Sequence, residues 1–423
     1  MIRFPTASRP ETLCGGALAL AAAVTAAMVT ASSAYADDAP TGLVVGPNIH
    51  LNAQFEAGIS LNPWTQYGGG LNFGQLSTGN NNQFQLNQVL LTASRALDPK
   101  NTNFDWGFKI QFLYGSDARY LHFFGELDKS INDRYQVTFI EADVQLHLPV
   151  LTDGGVDFKV GQFPSQLGYE TVDPSSSPFY SHSYIYAFAN PSGSTGAQAT
   201  WHINPIYDLY LGIDTGSGTT FGTNHGDENS APAYMAGIGL NLLDGKLTAV
   251  AATHFGPEDS GYVVPSPNSK FRWFGDLIVT YKPDDTWTFV TEASLVREDY
   301  FKATAFGVAQ YAGYALSDTV TLNGRAEIFR DDKGFFVAAF PGNLDWVNAP
   351  FGRPNTSYGV GAATYSEFTV GATWKPAGLP APIAGLLVRP ELRYDQTLTS
   401  THAYQLGHSR NSGEFAIDGI LQF

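Results

Sequence analysis

Nine histidines and 39 carboxylates among 423 residues are ample material for catalysis, so their spacing decides what they can do. Hydrolytic, metal-assisted and phosphate chemistry leave local signatures such as Gly-x-Ser-x-Gly, His-Glu-x-x-His and Gly-x-x-x-x-Gly-Lys. None of the three occurs. His122, His147, His202, His225 and His254 lie on separate segments without the close spacing of metal ligands. Asp227-Glu228 and Glu258-Asp259 are adjacent carboxylate pairs, a poor calcium signature and an ordinary composition for a solvated loop. The sequence therefore points to no catalytic residue, no metal and no cofactor. A hydrolase whose Ser, His and Asn assemble across strands would leave no compact motif, and nothing selects His254 and Ser294 over other pairs for that role.

The more informative chemistry is a set of charges placed every second residue. Leu386–Gln396 carries Arg389, Glu391, Arg393 and Asp395 on one face, and Thr319–Phe329 carries Thr321, Asn323, Arg325 and Glu327. Lys109, Glu141, Asp143 and Lys159 occupy the same kind of position in earlier segments. Charges of both signs facing an aqueous lumen tune the passage of ions. The same charges, paired with each other, would stiffen a wall. Both roles remain open at this level.

Positioning such charges requires extended segments with two unlike faces. In Thr286–Val296, Trp287, Phe289, Ala293 and Leu295 share one face while Thr286, Thr288, Glu292 and Ser294 share the other. That period of two belongs to a strand between an apolar medium and water. Gln136–Leu148 repeats it, and further segments begin near Ile49, Gln83, Phe104, Val156, Thr195, Ile206, Tyr234, Lys246, Phe271, Ala305, Thr319, Tyr358, Leu386 and Glu414. Each is about 9 to 11 residues, enough to cross a bilayer when tilted. Turn signals such as Asp244-Gly245 and Lys282-Pro283-Asp284-Asp285 alternate with longer polar loops, including 215–233 and 255–270.

After residue 36 no apolar run is long enough for a membrane helix, so a membrane form of this chain must be a closed barrel. The expected class is all-β: a transmembrane antiparallel β-barrel of about 16 strands with a long loop at 163–191. A soluble sandwich would also alternate. The final segment, Glu414 to Phe423, argues against it, because Phe415, Ile417, Leu421 and the terminal Phe423 share one face. On a soluble edge strand that face would invite aggregation, whereas in a closing barrel it meets lipid.

Residues 1–36 read as a secretory signal, with Arg3 and Arg9 before an apolar stretch from Gly15 to Val29 and an Ala34-Tyr35-Ala36 cleavage site. Cleavage after Ala36 would leave 37–423 as the barrel and remove Cys14, the only cysteine, so disulfide chemistry is excluded from the mature chain. The formal charge of −16 becomes −17 once Arg3, Arg9 and Glu11 are lost, leaving 21 basic and 38 acidic side chains. That balance argues against nucleic acid as a partner.

With those residues in view, the chain resembles the OmpL-like family of beta-barrel porins of bacterial outer membranes. The likeness rests on Val160-Gly161-Gln162-Phe163-Pro164, Leu167-Gly168-Tyr169-Glu170, Tyr180-Ser181-His182-Ser183-Tyr184, Pro191 and Thr195-Gly196. It continues in Glu327 to Phe335 and in Arg389 to Asp395, and covers roughly residues 46–423. Where the family commonly has Ser-Arg-Ser, this chain has Ser181-His182-Ser183, which weakens any anion-drawing role there because histidine is largely neutral at pH 7.

The resemblance implies an outer-membrane porin that passes small hydrophilic solutes or ions by passive diffusion, not an enzyme. Its implied partners are outer-membrane lipid, the barrel assembly machinery reading the strand that ends in Phe423, and further copies of itself; no interface pattern independently shows the last. The competing classes are a barrel hydrolase of lipids or esters and a non-conducting structural or adhesive barrel. The Pro-rich segment 163–191 is expected to fold partly into the lumen, with Tyr180, His182, Tyr184 and Tyr186 lining the pore, or else to form an aromatic rim loop. The expected pore-lining set also contains Lys109, Glu141, Asp143, Lys159, Arg325, Glu327, Arg389, Glu391, Arg393 and Asp395, whose near-balance of sign predicts weak ion selectivity.

Overall fold

A computed structural model of the protein describes residues 42–64, 70–98, 101–127, 130–131, 133–221, 229–261, 264–341 and 357–423. The expected signal segment and the Asp227-Glu228 pair lie outside the described residues.

Sixteen antiparallel strands close on themselves among the described residues. A short strand β1 (Leu43–Gly46) turns back onto the first barrel strand, β2 (Ile49–Leu61). The chain continues through β3 (Gln83–Arg95), β4 (Asp105–Gly115), β5 (Gln136–Leu148), β6 (Val156–Pro164), β7 (Gly193–His202), β8 (Tyr207–Asp214), β9 (Ala233–Leu242) and β10 (Leu247–Gly256). It is completed by β11 (Arg272–Tyr281), β12 (Trp287–Glu298), β13 (Ala303–Ser317), β14 (Val320–Asp331), β15 (Ala363–Trp374), β16 (Gly385–Thr397) and β17 (Asn411–Gln422). Each strand pairs with the next, and β17 pairs with β2 from Phe415↔Leu61 to Gln422↔Gln54. The Phe423 amide donates to the Ala53 carbonyl at 2.9 Å, and the Phe423 ring meets Phe55 edge to face at 5.6 Å. Closure satisfies both edges of the sheet, as a spanning structure in lipid requires.

The alternation of side chains settles which face is which. Outward positions such as Val144, Val160, Leu211, Val308, Ile328 and Leu392 are exposed aliphatics. Aromatic clusters mark both ends of the wall. Phe255 stacks on Trp273 at 4.9 Å near the long loops, and Trp287 packs on Phe289 at 5.4 Å and on Tyr314 at 4.7 Å near the short turns. These are the interfacial girdles expected of an outer-membrane barrel. No described helix is long and apolar enough to cross a membrane.

Strand starts agree with the sequence expectation to within a few residues, with the largest difference at β15, expected near Tyr358 and found from Ala363. Tyr358 instead forms an isolated bridge to Ala339, and Gly361 at φ +80° breaks the extension between Tyr358 and Ala363. Phe163 and Pro164, expected in the loop, still belong to β6, where Pro164 pairs with Gly193 at the strand end.

Candidate functional site

The segment between β6 and β7 carries a 3-10 turn at Pro174–Ser176 and a short helix, α1 (Tyr184–Phe188), capped by Ser183, whose hydroxyl accepts the Tyr186 amide at 3.0 Å. The sequence reading did not foresee α1. Neither element is long enough to satisfy this segment's backbone, and polar backbone groups buried without partners are costly. The barrel wall supplies those partners.

Carboxylates on the inner wall accept the loop's amides. Asp276 takes Gly168 N–H at 2.9 Å and Glu292 takes Tyr169 N–H at 3.1 Å. Glu391 takes the amides of Tyr180 and Ser181 at 2.8 and 3.1 Å, and Glu327 takes those of Tyr184 and Ile185 at 2.7 and 2.8 Å. Arginines on the same wall donate to the loop's carbonyls. Arg389 reaches Pro174 O at 2.6 Å and Ser177 O at 2.8 Å, Arg325 reaches Ser181 O at 2.9 Å, and Arg393 reaches His182 O at 2.6 Å. Wall charges thus replace the hydrogen bonds that secondary structure would have provided, and hydrogen bonds to charged groups contribute about 1.5–3 kcal/mol each.

The arginines are themselves neutralised by carboxylates. Arg325 pairs with Glu367 at 2.9 Å and with Glu170 of the loop at 2.8 Å. Arg389 bridges Glu56 at 3.0 Å and Asp418, and Arg393 holds Asp395 at 2.8 and 2.9 Å. Glu170 also accepts from Tyr311 at 2.9 Å and contacts His182 Nδ1 at 2.6 Å. Burial alone would raise the Glu170 carboxyl; the Arg325 guanidinium and the His182 contact overcome it and hold the group down at about 2.

Aromatic tips complete the seat. The Tyr184 hydroxyl meets Asp395 and Tyr404 at 3.0 Å each, and the Tyr180 hydroxyl donates to Asn87 at 2.7 Å. Two inward glycines make room: a Cβ on Gly58 would come within 2.8 Å of the Tyr180 ring, and one on Gly307 within 2.9 Å of Ile185.

The expected pore-lining residues therefore fall into two groups. Arg325, Glu327, Arg389, Glu391, Arg393 and Asp395 lie under the loop, none more than 3% exposed, and Tyr180 and Tyr184 are equally buried. His182 keeps a little exposure and stacks on Tyr186 at 4.0 Å. On the wall that the loop leaves uncovered, Lys109 and Lys159 retain about a third of their side-chain surface, at 35% and 31%. Both grip Glu141, at 2.8 and 2.9 Å, with Asp143 3.8 Å from Lys159. Sequence reasoning missed Glu56, Asp276, Glu367 and Asp418, and it put Glu292 on the polar face of its strand without naming it as pore-lining. Each sits on the inward face of its strand, so alternation would have placed it there, but its partner could not be read.

His254 and Ser294 bond to different groups: His254 to Asp214 at 3.0 Å, Ser294 to Asn190 at 3.1 Å. No described group of three His, Cys, Asp or Glu side chains is arranged to hold a metal ion.

A closed sixteen-strand barrel with an apolar outer face and a loop pinned to one side of its polar interior is the architecture of outer-membrane porins. The chain belongs to the family described as "Putative beta-barrel porin-2, OmpL-like", which it matches over residues 48–423. Its fold is similar to that of the outer membrane channel DcaP of Acinetobacter baumannii, with a TM-score of 0.54, 14% identity and coverage of 90% of this chain and 100% of that one. It is also similar to an anion-selective porin from Comamonas acidovorans (TM-score 0.55, 8% identity, 89% and 99% covered) and to the trimer form of Vibrio cholerae OmpT (TM-score 0.50, 9% identity, 89% and 99% covered). No curated protein matches the sequence.

Proposed function

We propose that this porin is a passive channel whose aperture is set by the segment 165–192, carrying small hydrophilic solutes or ions without a cofactor. The observation that carries this reading is the two-signed pinning of that segment to one side of the barrel interior, which narrows the interior while leaving Lys109, Lys159 and the Glu141–Asp143 pair on the other side. In this reading Arg325, Glu327, Arg389, Glu391, Arg393, Asp395, Tyr180 and Tyr184 fix the loop and act on solutes only through its position. Lys109 and Lys159 meet them directly, while Glu141 and Asp143, buried beneath the two ammonium groups, act through the charge they share with them, and the balance of sign favours weak selectivity.

Planar-bilayer recording tests it. Deleting Ser175–Ser183 breaks the 3-10 turn and removes the Ser177 contact to Arg389 and both amides held by Glu391, and single-channel conductance is expected to rise. Unchanged conductance sinks the aperture role, and a purified barrel that never conducts sinks the channel itself. The remaining elements of the proposal are removal of residues 1–36 on export, insertion by the assembly machinery through the Phe423 strand, and a homo-oligomer, the last supported by the trimer form of the OmpT neighbour.

A further inference from the structure

Between the pinned loop and the long-loop rim lies a cavity of about 580 Å³ whose lining combines two chemistries. One is aromatic: Phe301 stacks on Phe335 at 4.9 Å, and Phe335 meets Phe336 edge to face at 5.0 Å, with Phe301 and Phe335 each 40% exposed. The other is anionic and comes from the segment after β10, where Glu258 and Asp259 line the same space.

The carboxylates outnumber the cations around them. Glu258 accepts the Ser217 amide through Oε2 at 2.7 Å, while Oε1 has no hydrogen bond among the described residues although the side chain is only 2% exposed. The ring of His254 lies 3.6 Å from Oε1, and that ring already holds Asp214 at 3.0 Å. Asp259 lies 3.7 Å from Arg272, which is committed to Glu298 at 2.7 Å. Among the described residues, four carboxylates, Asp214, Glu258, Asp259 and Glu298, thus face one guanidinium and one imidazole. Burial raises the Glu258 carboxyl, and burial together with Glu298 pushes Asp259 up to about 6, against the pull of Arg272.

We infer that this cavity is a subsite for organic cations, in which an ammonium group lies against Glu258 and Asp259 and its apolar or aromatic body lies against Phe301, Phe335 and Phe336. A bare alkali cation would use only the carboxylates, a neutral arene only the rings, and an anion would be repelled. An ammonium on an arene uses both, and desolvated cation–ring contact adds to the ion pairing. As a step in permeation the subsite rests on the channel reading; as a binding site it does not.

The test separates the two. Benzyltrimethylammonium, benzenesulfonate and potassium chloride are titrated by calorimetry into the full barrel in detergent, and conductance in potassium chloride is recorded in bilayers. Saturable binding of benzyltrimethylammonium alone is expected. It should weaken about fivefold or more in the Glu258→Gln/Asp259→Asn double variant and about fivefold in Phe335→Leu. It should also weaken as pH falls below about 6, as Asp259 takes up its proton. Equal binding of the sulfonate, or no loss in the variants, overturns the subsite while conductance leaves the channel standing. Selective binding by a non-conducting barrel does the reverse. Should the double variant not fold, Phe335→Leu, on an exposed ring, carries the decision.

Discussion

The inner wall under the loop and the inner wall left bare use the same alternating pattern for opposite ends. Under the loop, on β14 and β16, the cations are Arg325, Arg389 and Arg393, all buried and each bonded to at least one carboxylate and one loop carbonyl. On the bare side, on β4 and β6, they are Lys109 and Lys159, both partly solvated. A guanidinium offers five donors in a fixed fork and is weakly hydrated, so it can be buried while serving several acceptors. An ammonium is a compact, strongly hydrated charge better left in contact with water. The choice of cation therefore marks which wall is scaffold and which is free to meet a solute.

The wall under the loop should fail most severely at Arg325. Arg325→Ala leaves Glu170 and Glu367 buried without their partner, a loss of about 3–5 kcal/mol for a buried ion pair. The expected outcome is a folded barrel with protease cleavage within 165–192 and raised conductance; an intact, protected loop would show that the scaffold side does not depend on it.

Titration gives the next effect. The Glu170 carboxyl is held at about 2 against an ordinary 4.5, by the Arg325 and His182 contacts outweighing burial. Its folded value is depressed, so its contribution to loop anchoring is complete above about 4.5 and is lost as pH falls toward 2. Loop protection should hold between pH 7 and 5 and fail only near the lower limit. Release of the loop at pH 5 would assign the anchoring elsewhere.

A smaller loss is expected from Glu391→Gln, which keeps one acceptor for the Tyr180 and Ser181 amides and gives up the charge. About 1–3 kcal/mol of anchoring should go, read as faster hydrogen exchange of those two amides than in Glu327→Gln, whose contacts lie at α1.

The smallest stability change belongs to the bare wall. Lys159→Ala should alter stability by about 1 kcal/mol, because the lost ammonium is itself partly solvated and the buried Glu141 keeps Lys109. It frees Glu141 and Asp143 toward the lumen, so the reversal potential in asymmetric salt should move toward cations. A large stability loss with no shift in reversal potential would place Lys159 with the scaffold.

The fold was legible because lipid imposes a local rule. One face of each strand must be apolar, so Trp287, Phe289 and Leu295 announce β12 without knowledge of any neighbour. Turn chemistry was legible for a similar reason, although at Asp244-Gly245 the left-handed positions extend to Leu243 and Asp244. Misplacing the start of β15 by five residues reflects a bridge between Tyr358 and Ala339 that no local pattern encodes.

The alternation of the chain by itself determined a barrel, its inward charges and the segment that cannot be a strand. It also placed Arg325, Glu327, Arg389 and Glu391 on the inner face, because side-chain direction in a strand depends only on position along it. Only the tertiary structure decided what those charges touch. The partners of Glu391 lie more than two hundred residues away in the loop, and those of Arg389 lie on β2, on β17 and at Pro174. Whether an inward charge meets water or a buried amide depends on where a distant, irregular segment comes to rest. Closure of the ring fixes that position, and no period in the sequence does.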